Sequence, residues 1–67
     1  MMQDNKTYKY VYTGLTLPPD ASARMHEAKI AEMQMNGWCL FHTTYQFTEK
    51  DQTNRFMTLM CRDNDNA

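Results

Sequence analysis

The first segment of the chain alternates strictly between two kinds of side chain. From Thr7 to Thr13 every second position is a tyrosine, and lysine, valine and threonine occupy the other positions. Side chains two residues apart share a face of a strand, so this run predicts a β-strand with one tyrosine-bearing face. Residues 14–17 can extend it with a bend. It must end before Pro18 and Pro19, because proline has no amide hydrogen to donate to a neighbouring strand.

A single helix is predicted behind the prolines. Asp20 or Ser22 can cap it, the residues up to Met35 are mostly good helix formers, and Gly37 supplies a left-handed stop. At about 100° per residue the apolar side chains form two stripes, whereas a helix on one sheet needs only one. The first stripe contains Ala23, Ile30 and Met33 with His26, and the second contains Ala21, Met25, Ala28, Ala31 and Met35.

Two further strands are predicted after Gly37. The segment from Trp38 to Phe47 is β-like, and regular alternation gives it two faces that both carry large apolar groups. One face contains Trp38, Leu40, His42 and Thr44, and the other contains Cys39, Phe41, Thr43, Tyr45 and Phe47. Residues 48–53 are polar and predict a hairpin loop. Asn54 to Arg62 predicts a strand whose almost continuously apolar middle is typical of the centre of a sheet.

This order of elements predicts an α+β fold. A right-handed crossover through the helix makes the first and second strands parallel and leaves room between them for the third. We therefore expect a β-α-β-β arrangement, a three-stranded antiparallel sheet in the order 1-3-2 with the helix packed on one face. Residues 7–63 form this single domain, with flexible ends at 1–6 and 64–67.

The size of the chain favours a second subunit as partner, and its charge disfavours nucleic acid. With 67 residues it can form only a small core, and chains of this size often gain stability from a second subunit. The formal net charge is -1 and neither sign forms a run, which disfavours nucleic acid as a partner. The N-terminus has no apolar leader, and no apolar stretch approaches the roughly 18 residues of a membrane helix. We therefore expect a cytoplasmic protein without membrane contact.

The cysteines and histidines suggest no reaction. Cys39 and Cys61 lie far apart without a C-x-x-C partner, so we expect both to stay reduced. His26 and His42 are possible zinc ligands, but in a regular strand Cys39 and His42 point to opposite faces. Cys39 also follows the helix C-terminus, where the helix dipole disfavours a thiolate nucleophile. We expect no metal, no cofactor and no enzymatic activity.

Three short motifs lie in the first strand, at the step from the helix to the second strand, and at the end of the last strand. They are Tyr8-Lys9-Tyr10-Val11, Gly37-Trp38-Cys39-Leu40 and Thr58-Leu59-Met60-Cys61-Arg62. Together they resemble a family of small bacterial and phage proteins, the domain-of-unknown-function 4177 family, which typically has an acidic residue in place of Cys39. The resemblance implies a β-α-β-β fold without an established activity, and a helix whose Ile30 and Met33 face the sheet.

The leading functional hypothesis is based on apolar side chains that the single helix cannot bury. If Trp38 and Leu40 face the helix, the other face of their strand is exposed, and exposed apolar patches usually mark partner surfaces. We predict a non-enzymatic protein-binding module that forms a homodimer. The predicted interface contains Cys39, Phe41, Thr43, Tyr45, Phe47, Met25, Ala28 and Met35. The phage members of the family imply a specific version, an accessory protein that inhibits a host or defence protein in the host cytoplasm.

Two other functions are compatible with the sequence. A small ligand or nucleotide can bind in a pocket between subunits, lined by Tyr10, Tyr12, Trp38 and His42. Alternatively, the first-strand tyrosines can stack the bases of single-stranded nucleic acid. Such sites normally add clustered basic residues, and the seven lysines and arginines of this chain are dispersed.

Overall fold

The computed structural model describes residues 5–63, which form one helix and three strands. In chain order, β1 is Lys6–Leu15, α1 is Pro19–Met35, β2 is Cys39–Thr48 and β3 is Thr53–Asp63. The strands form one antiparallel sheet in the order β1-β3-β2, with α1 on one face. This confirms the predicted β-α-β-β fold.

The expected flexible ends lie largely outside the described residues. Lys6, which we placed in the N-terminal end, already belongs to β1 and pairs with Asp63 of β3. Residues 1–4 and 64–67 are not described. Within residues 5–63, no helix has the length and apolar character that crossing a membrane requires.

Helix α1 begins directly at the prolines. Pro18 is the N-cap residue, and Pro19 stands in the first turn, where the amide hydrogen that it lacks has no helical partner. The prediction of a cap by Asp20 or Ser22 was wrong, because both lie inside the helix and no side chain among residues 5–63 caps its N-terminus. Ser22 is instead fully buried, and its Oγ donates to the Leu17 carbonyl at 3.2 Å.

Gly37 ends the helix as predicted. Its φ is 90°, in the left-handed region that side chains with a Cβ atom disfavour. Its amide donates to the Gln34 carbonyl and the Trp38 amide donates to the Met33 carbonyl, each at 3.1 Å. These bonds satisfy carbonyls at the end of α1 and turn the chain into β2.

The layer between α1 and the sheet has more buried polar residues than apolar ones. Among the described residues, the buried apolar side chains are Ile30, 7% exposed, and Met60, fully buried. The buried polar residues are Thr13, Ser22, His26, Asn54 and Thr58. Every buried side-chain nitrogen or oxygen in this part of the chain has a hydrogen-bond partner. The apolar core is therefore very small, and hydrogen bonds complete the layer.

The two helix stripes differ in burial. In the first stripe His26 and Ile30 are buried, and Ala23 and Met33 are half-buried. In the second stripe Met25 is 50% exposed and Met35 is 87% exposed. The first stripe therefore packs on the sheet, as predicted. The second stripe points away from it.

Candidate functional site

A β-bulge at Phe41 divides β2 into two parts. Leu40 lies opposite Met60 and His42 lies opposite Leu59, so Phe41 has no partner on β3. One unpaired residue reverses the alternation of the side chains that follow it. The prediction of regular alternation along the whole of β2 was therefore wrong beyond Phe41.

Residues predicted for the exposed face of β2 lie on the helix side after the bulge. The Oγ1 atom of Thr43 is 2.9 Å from that of buried Thr58. The ring of Tyr45 packs on Phe56 with centroids 4.8 Å apart, and its hydroxyl donates to Oδ1 of Asn54. Phe47, directly opposite Asn54, has the same orientation. Thr43, Tyr45 and Phe47 are therefore not on the face that carries Cys39.

Two residues predicted to face the helix, His42 and Thr44, lie instead on the face of the sheet away from α1. His42 lies opposite Leu59, and Thr44 lies opposite Met57. Leu59 and Met57 alternate with buried Thr58, so they belong to the face away from α1. His42 and Thr44 share that face. Leu40, which precedes the bulge, stays on the helix side and lines a groove beside Ile30.

The face of the sheet away from α1, which we call the open face, has three rows of side chains across the three strands. The register gives the rows Tyr8–Cys61–Cys39, Tyr10–Leu59–His42 and Tyr12–Met57–Thr44. Phe41 joins them from the bulge, since its ring meets that of Tyr8 edge-on with centroids 6.3 Å apart. No other element among residues 5–63 lies over these rows. Among the large apolar side chains of this face, Tyr10 is 65% exposed and Phe41 is 62% exposed.

Charged pairs stand at both ends of the open face. At one end Lys6 Nζ is 2.8 Å from Asp63 Oδ1, and this hydrogen bond raises the pKa of Lys6. At the other end Arg55 Nη2 is 3.0 Å from Asp51 Oδ2, and the bond to Arg55 lowers the pKa of Asp51. An apolar centre with a polar rim is the usual composition of a protein–protein interface.

The predicted ligand pocket is only partly assembled within one chain. Tyr10, Tyr12 and His42 lie together on the open face. Trp38 is elsewhere, at the C-terminal end of α1, where the Arg62 guanidinium lies 4.5 Å from the centre of its ring. Arg62 also donates to the Asn36 carbonyl at 3.3 Å, which fixes it at the helix end.

Buried His26 sits at the centre of a hydrogen-bonded chain under the helix. Its Nδ1 is 2.8 Å from Thr13 Oγ1, and its Nε2 is 2.7 Å from Thr58 Oγ1. A neutral imidazole has one donor and one acceptor nitrogen, and a hydroxyl can serve as partner to either. Burial lowers the pKa of His26, nearby Lys29 lowers it further, and Glu27 opposes the shift.

The imidazole of His26 also packs on an aromatic ring. It stacks on Phe56 with centroids 5.3 Å apart and planes inclined by 20°. A groove of about 400 Å³ between α1 and β2 reaches this site, and Ile30, Leu40 and Thr43 contribute to its walls. His26 thereby links α1 to Thr13 of β1 and to Thr58 of β3.

Sequence reasoning missed the role of Asn54. It is 1% exposed, and its Nδ2 donates to the Leu17 carbonyl at 2.7 Å while its Oδ1 accepts from Tyr45. One amide therefore joins β3, β2 and the loop that leads into α1. An asparagine next to a predicted hairpin loop gives no local signal of such a role, because its partners are 9 and 37 residues away.

The sequence disfavoured a metal site because Cys39 and His42 point to opposite faces of a regular strand, but the bulge places them on the same face. His42, Cys39 and Cys61 all lie on the open face. Even so, residues 5–63 contain no group of three or more histidine, cysteine or acidic residues arranged to hold a metal ion. Both cysteines are free thiols, with Cys39 exposed and Cys61 half-buried.

Comparisons with family models, curated proteins and solved structures found no match to this chain. The resemblance based on the three short motifs therefore stays a prediction. Among residues 5–63, the open face is an exposed aromatic surface that no described element covers.

Proposed function

We propose that this protein is a non-enzymatic binding module that forms a homodimer by packing two open faces together. The observation that carries the proposal is the set of three side-chain rows, rich in aromatic and sulfur-containing groups, that no described element covers. A chain with two buried apolar side chains among its described residues has much to gain from covering this surface.

The proposed interface differs from the one predicted from the sequence. It keeps Cys39 and Phe41 and adds the tyrosines of β1 with Met57, which is 42% exposed. Thr43, Tyr45 and Phe47 lie on the helix side of the sheet, and Met25, Ala28 and Met35 lie on the outer surface of α1. One flat contact cannot include all three surfaces.

The area of the open face sets the expected strength of the dimer. Three strands about 4.8 Å apart and about 34 Å long present roughly 500 Å² per subunit. Two such faces bury about 1,000 Å², the lower limit for a specific protein–protein interface. We therefore expect a weak dimer, with a dissociation constant in the micromolar range or above.

Solution mass measured across a wide concentration range tests the dimer. Light scattering should give a mass that rises from one chain toward two as protein concentration increases. Phe41→Asp places a charge on an exposed apolar position of the contact and should hold the protein at one chain. Met35→Asp is the matched control, because Met35 is exposed on the outer surface of α1, and it should behave like the parent protein.

The same experiment has outcomes that contradict the proposal. A parent protein that stays at one chain at all concentrations would exclude self-association. Dissociation by Met35→Asp but not by Phe41→Asp would move the contact to the second helix stripe. Circular dichroism of both variants separates loss of assembly from loss of folding.

The more specific version, binding and inhibition of a host or defence protein, rests on the family resemblance alone. It requires that a partner bind the same open face in place of the second copy. A purified candidate partner should bind the parent protein and Met35→Asp but not Phe41→Asp, measured by calorimetry. Equal binding by all three proteins would exclude the open face as the site.

A second candidate function is stacking of nucleobases on the open face. The observation that favours it is the exposure of Tyr10, 65%, in the same row as His42. A nucleotide at 100 times its dissociation constant should stabilise the fold by about 2.7 kcal/mol, measured by thermal unfolding. Binding of an oligonucleotide should weaken steeply with salt. Absence of both effects leaves the protein partner as the function.

A further inference from the structure

The sheet register brings the two cysteines of the chain together. Cys39 of β2 lies directly opposite Cys61 of β3. Directly opposed residues of antiparallel strands have Cα atoms about 4.5–5.5 Å apart, and a disulfide requires a Cα separation of about 4.4–6.8 Å. The two Cα atoms therefore stand within bridging range, although 21 residues separate them in the sequence.

Both thiols belong to the same face of the sheet. Met60, next to Cys61, is fully buried under α1, so the side chain of Cys61 points to the open face. Cys39 shares the row of Cys61 and therefore its face. Neither cysteine is part of a disulfide in this structure.

The two positions differ in access. Cys39 is exposed and is the first residue of β2, which is an edge strand. Cys61 is half-buried in the central strand, where the rings of Tyr8 and Phe41 meet beside it. A small reagent therefore reaches Cys39 first, and Cys61 is placed to attack the adduct from the adjoining strand.

The backbone around Cys39 can adjust to the geometry of a bridge. Gly37 precedes it by two residues, and the bulge at Phe41 follows it by two. Bulges bend a strand and change its local twist, so the start of β2 is less constrained than the middle of a regular strand. Adjustment of the backbone for a cross-strand bridge is therefore expected in the edge strand β2.

We propose that Cys39 and Cys61 are a cross-strand dithiol site that a small-molecule disulfide, such as oxidised glutathione, converts into an intrachain disulfide. The Cys39 thiolate attacks one sulfur of the reagent, which forms a mixed disulfide and releases one glutathione thiolate. The Cys61 thiolate then attacks the Cys39 sulfur and releases the second glutathione. The protein loses two thiol protons and two electrons, and one oxidised glutathione becomes two reduced glutathione molecules.

The bridge has a structural consequence on the open face. It links the edge strand β2 to the central strand β3 and closes the loop that contains their hairpin. Such a cross-link restricts the unfolded chain, so the oxidised protein should have a higher melting temperature than the reduced protein. The site is argued from the register within one chain, and because the proposed dimer covers the same face, oxidation is measured on the dissociated chain.

Intact mass spectrometry with thiol counting tests the site. The reduced protein, diluted until it is a single chain, is incubated with oxidised glutathione, and remaining thiols are then alkylated. The parent should lose the mass of two hydrogen atoms and take up no alkyl group, and dithiothreitol should restore two reactive thiols. Cys39→Ser and Cys61→Ser should each keep one stable glutathionyl adduct.

A matched double variant tests whether the bridge requires two directly opposed cysteines or only two thiols on the same face of the sheet. Cys39→Ser with Thr44→Cys keeps two thiols on the open face, but position 44 lies opposite Met57 rather than Cys61. This variant should accumulate glutathionyl adducts without an intrachain bridge. The proposal is overturned if the parent also gives only adducts or disulfide-linked dimers, or if the double variant bridges as readily as the parent.

Discussion

At the scale of single residues, His26 replaces part of an apolar core. Its ring is 4% exposed, stacks on Phe56 and bridges two threonine hydroxyls on β1 and β3. A fully satisfied buried network can hold two layers together as specifically as packing does, but it is sensitive to protonation and to the loss of any one partner. Both sensitivities can be measured.

Protonation of His26 should destabilise the fold. Burial lowers its folded pKa below the usual 6.5, so the unfolded chain binds more protons between the two values. The free energy of unfolding should therefore be highest above about pH 6.5 and decrease as the pH falls through 6 toward the folded pKa. The loss is at most about 1.4 kcal/mol per pH unit.

Urea unfolding at several pH values between 5 and 7.5 measures this loss. His26→Gln should remove the dependence on pH in this range, at the expense of lower stability throughout. His42→Gln, which removes the histidine of the open face, should keep the dependence of the parent. An unchanged slope in His26→Gln would assign the effect to another group.

Loss of one hydroxyl from the network should have a large effect. Thr58 Oγ1 contacts both His26 Nε2 and Thr43 Oγ1, and Thr58→Val leaves a buried imidazole nitrogen without a partner. The expected loss of stability is about 1–3 kcal/mol, measured by urea unfolding. Thr44→Val, the same change at an exposed position of β2, should cost less than about 0.5 kcal/mol. Similar losses in the two variants would show that the network contributes little.

At the scale of elements, the bulge at Phe41 decides which half of β2 contributes to which layer. Leu40 contacts the helix layer before the bulge, and Thr43 and Tyr45 do so after it. The bulge thereby places Phe41 on the open face, while Leu40, Thr43 and Tyr45 all remain on the helix side. Its role can be tested by deletions that alter the length of β2.

Deletion of Phe41 should leave the fold intact. Leu40 and His42 already pair with consecutive residues of β3. Removal of Phe41 should therefore give a regular strand in which all the remaining side chains keep their present faces. Deletion of Thr44 should be much more destabilising, because it moves Tyr45 and Phe47 to the wrong face unless the register slips. Circular dichroism and urea unfolding compare the two. Equal stability would show that β2 has no fixed register.

The end of α1 depends on the conformation of Gly37. With φ at 90°, an added Cβ would meet Arg62 Cδ at an ordinary 3.6 Å, so the obstacle to a side chain is backbone strain rather than crowding. Gly37→Ala should lower stability by about 1–2 kcal/mol. Gly37→Asn should cost less, because asparagine enters the left-handed region more readily. Thermal unfolding of both variants would reject this account if alanine cost no more than asparagine.

At the scale of the whole molecule, one helix covers one face of the sheet and the opposite face has no described cover. The two faces differ in chemistry. The helix side combines two buried apolar residues with a hydrogen-bonded network, whereas the open face presents aromatic and sulfur-containing groups to solvent. A second copy that covers the open face would give the molecule a second apolar layer, which residues 5–63 of a single chain do not form.

Self-association should make thermal stability depend on protein concentration. If the dimer binds only folded chains, the melting temperature should rise as concentration increases through the dissociation constant. Phe41→Asp should have a melting temperature that does not change with concentration, and Met35→Asp should keep the dependence of the parent. Differential scanning calorimetry over a hundredfold concentration range measures this. A constant melting temperature in the parent would contradict the dimer.

Local signals in the sequence determined the order, type and approximate bounds of the elements. The strict alternation of tyrosines produces β1, the Pro18-Pro19 pair and Gly37 limit α1, and the apolar middle of β3 marks the central strand. Each signal works within a few residues, through side-chain period or backbone restriction. The topology followed because a right-handed crossover leaves one place for the last strand.

Pairing between strands decided what the local signals left open. Between Trp38 and Phe47 the large apolar residues occupy even positions up to Leu40 and odd positions from Phe41 onward. A bulge explains this shift, whereas regular alternation interprets it as two apolar faces. The contacts of Asn54 and the opposition of Cys39 to Cys61 depend likewise on partners distant in sequence. Register is a property of two strands together, so only the tertiary structure could place these side chains.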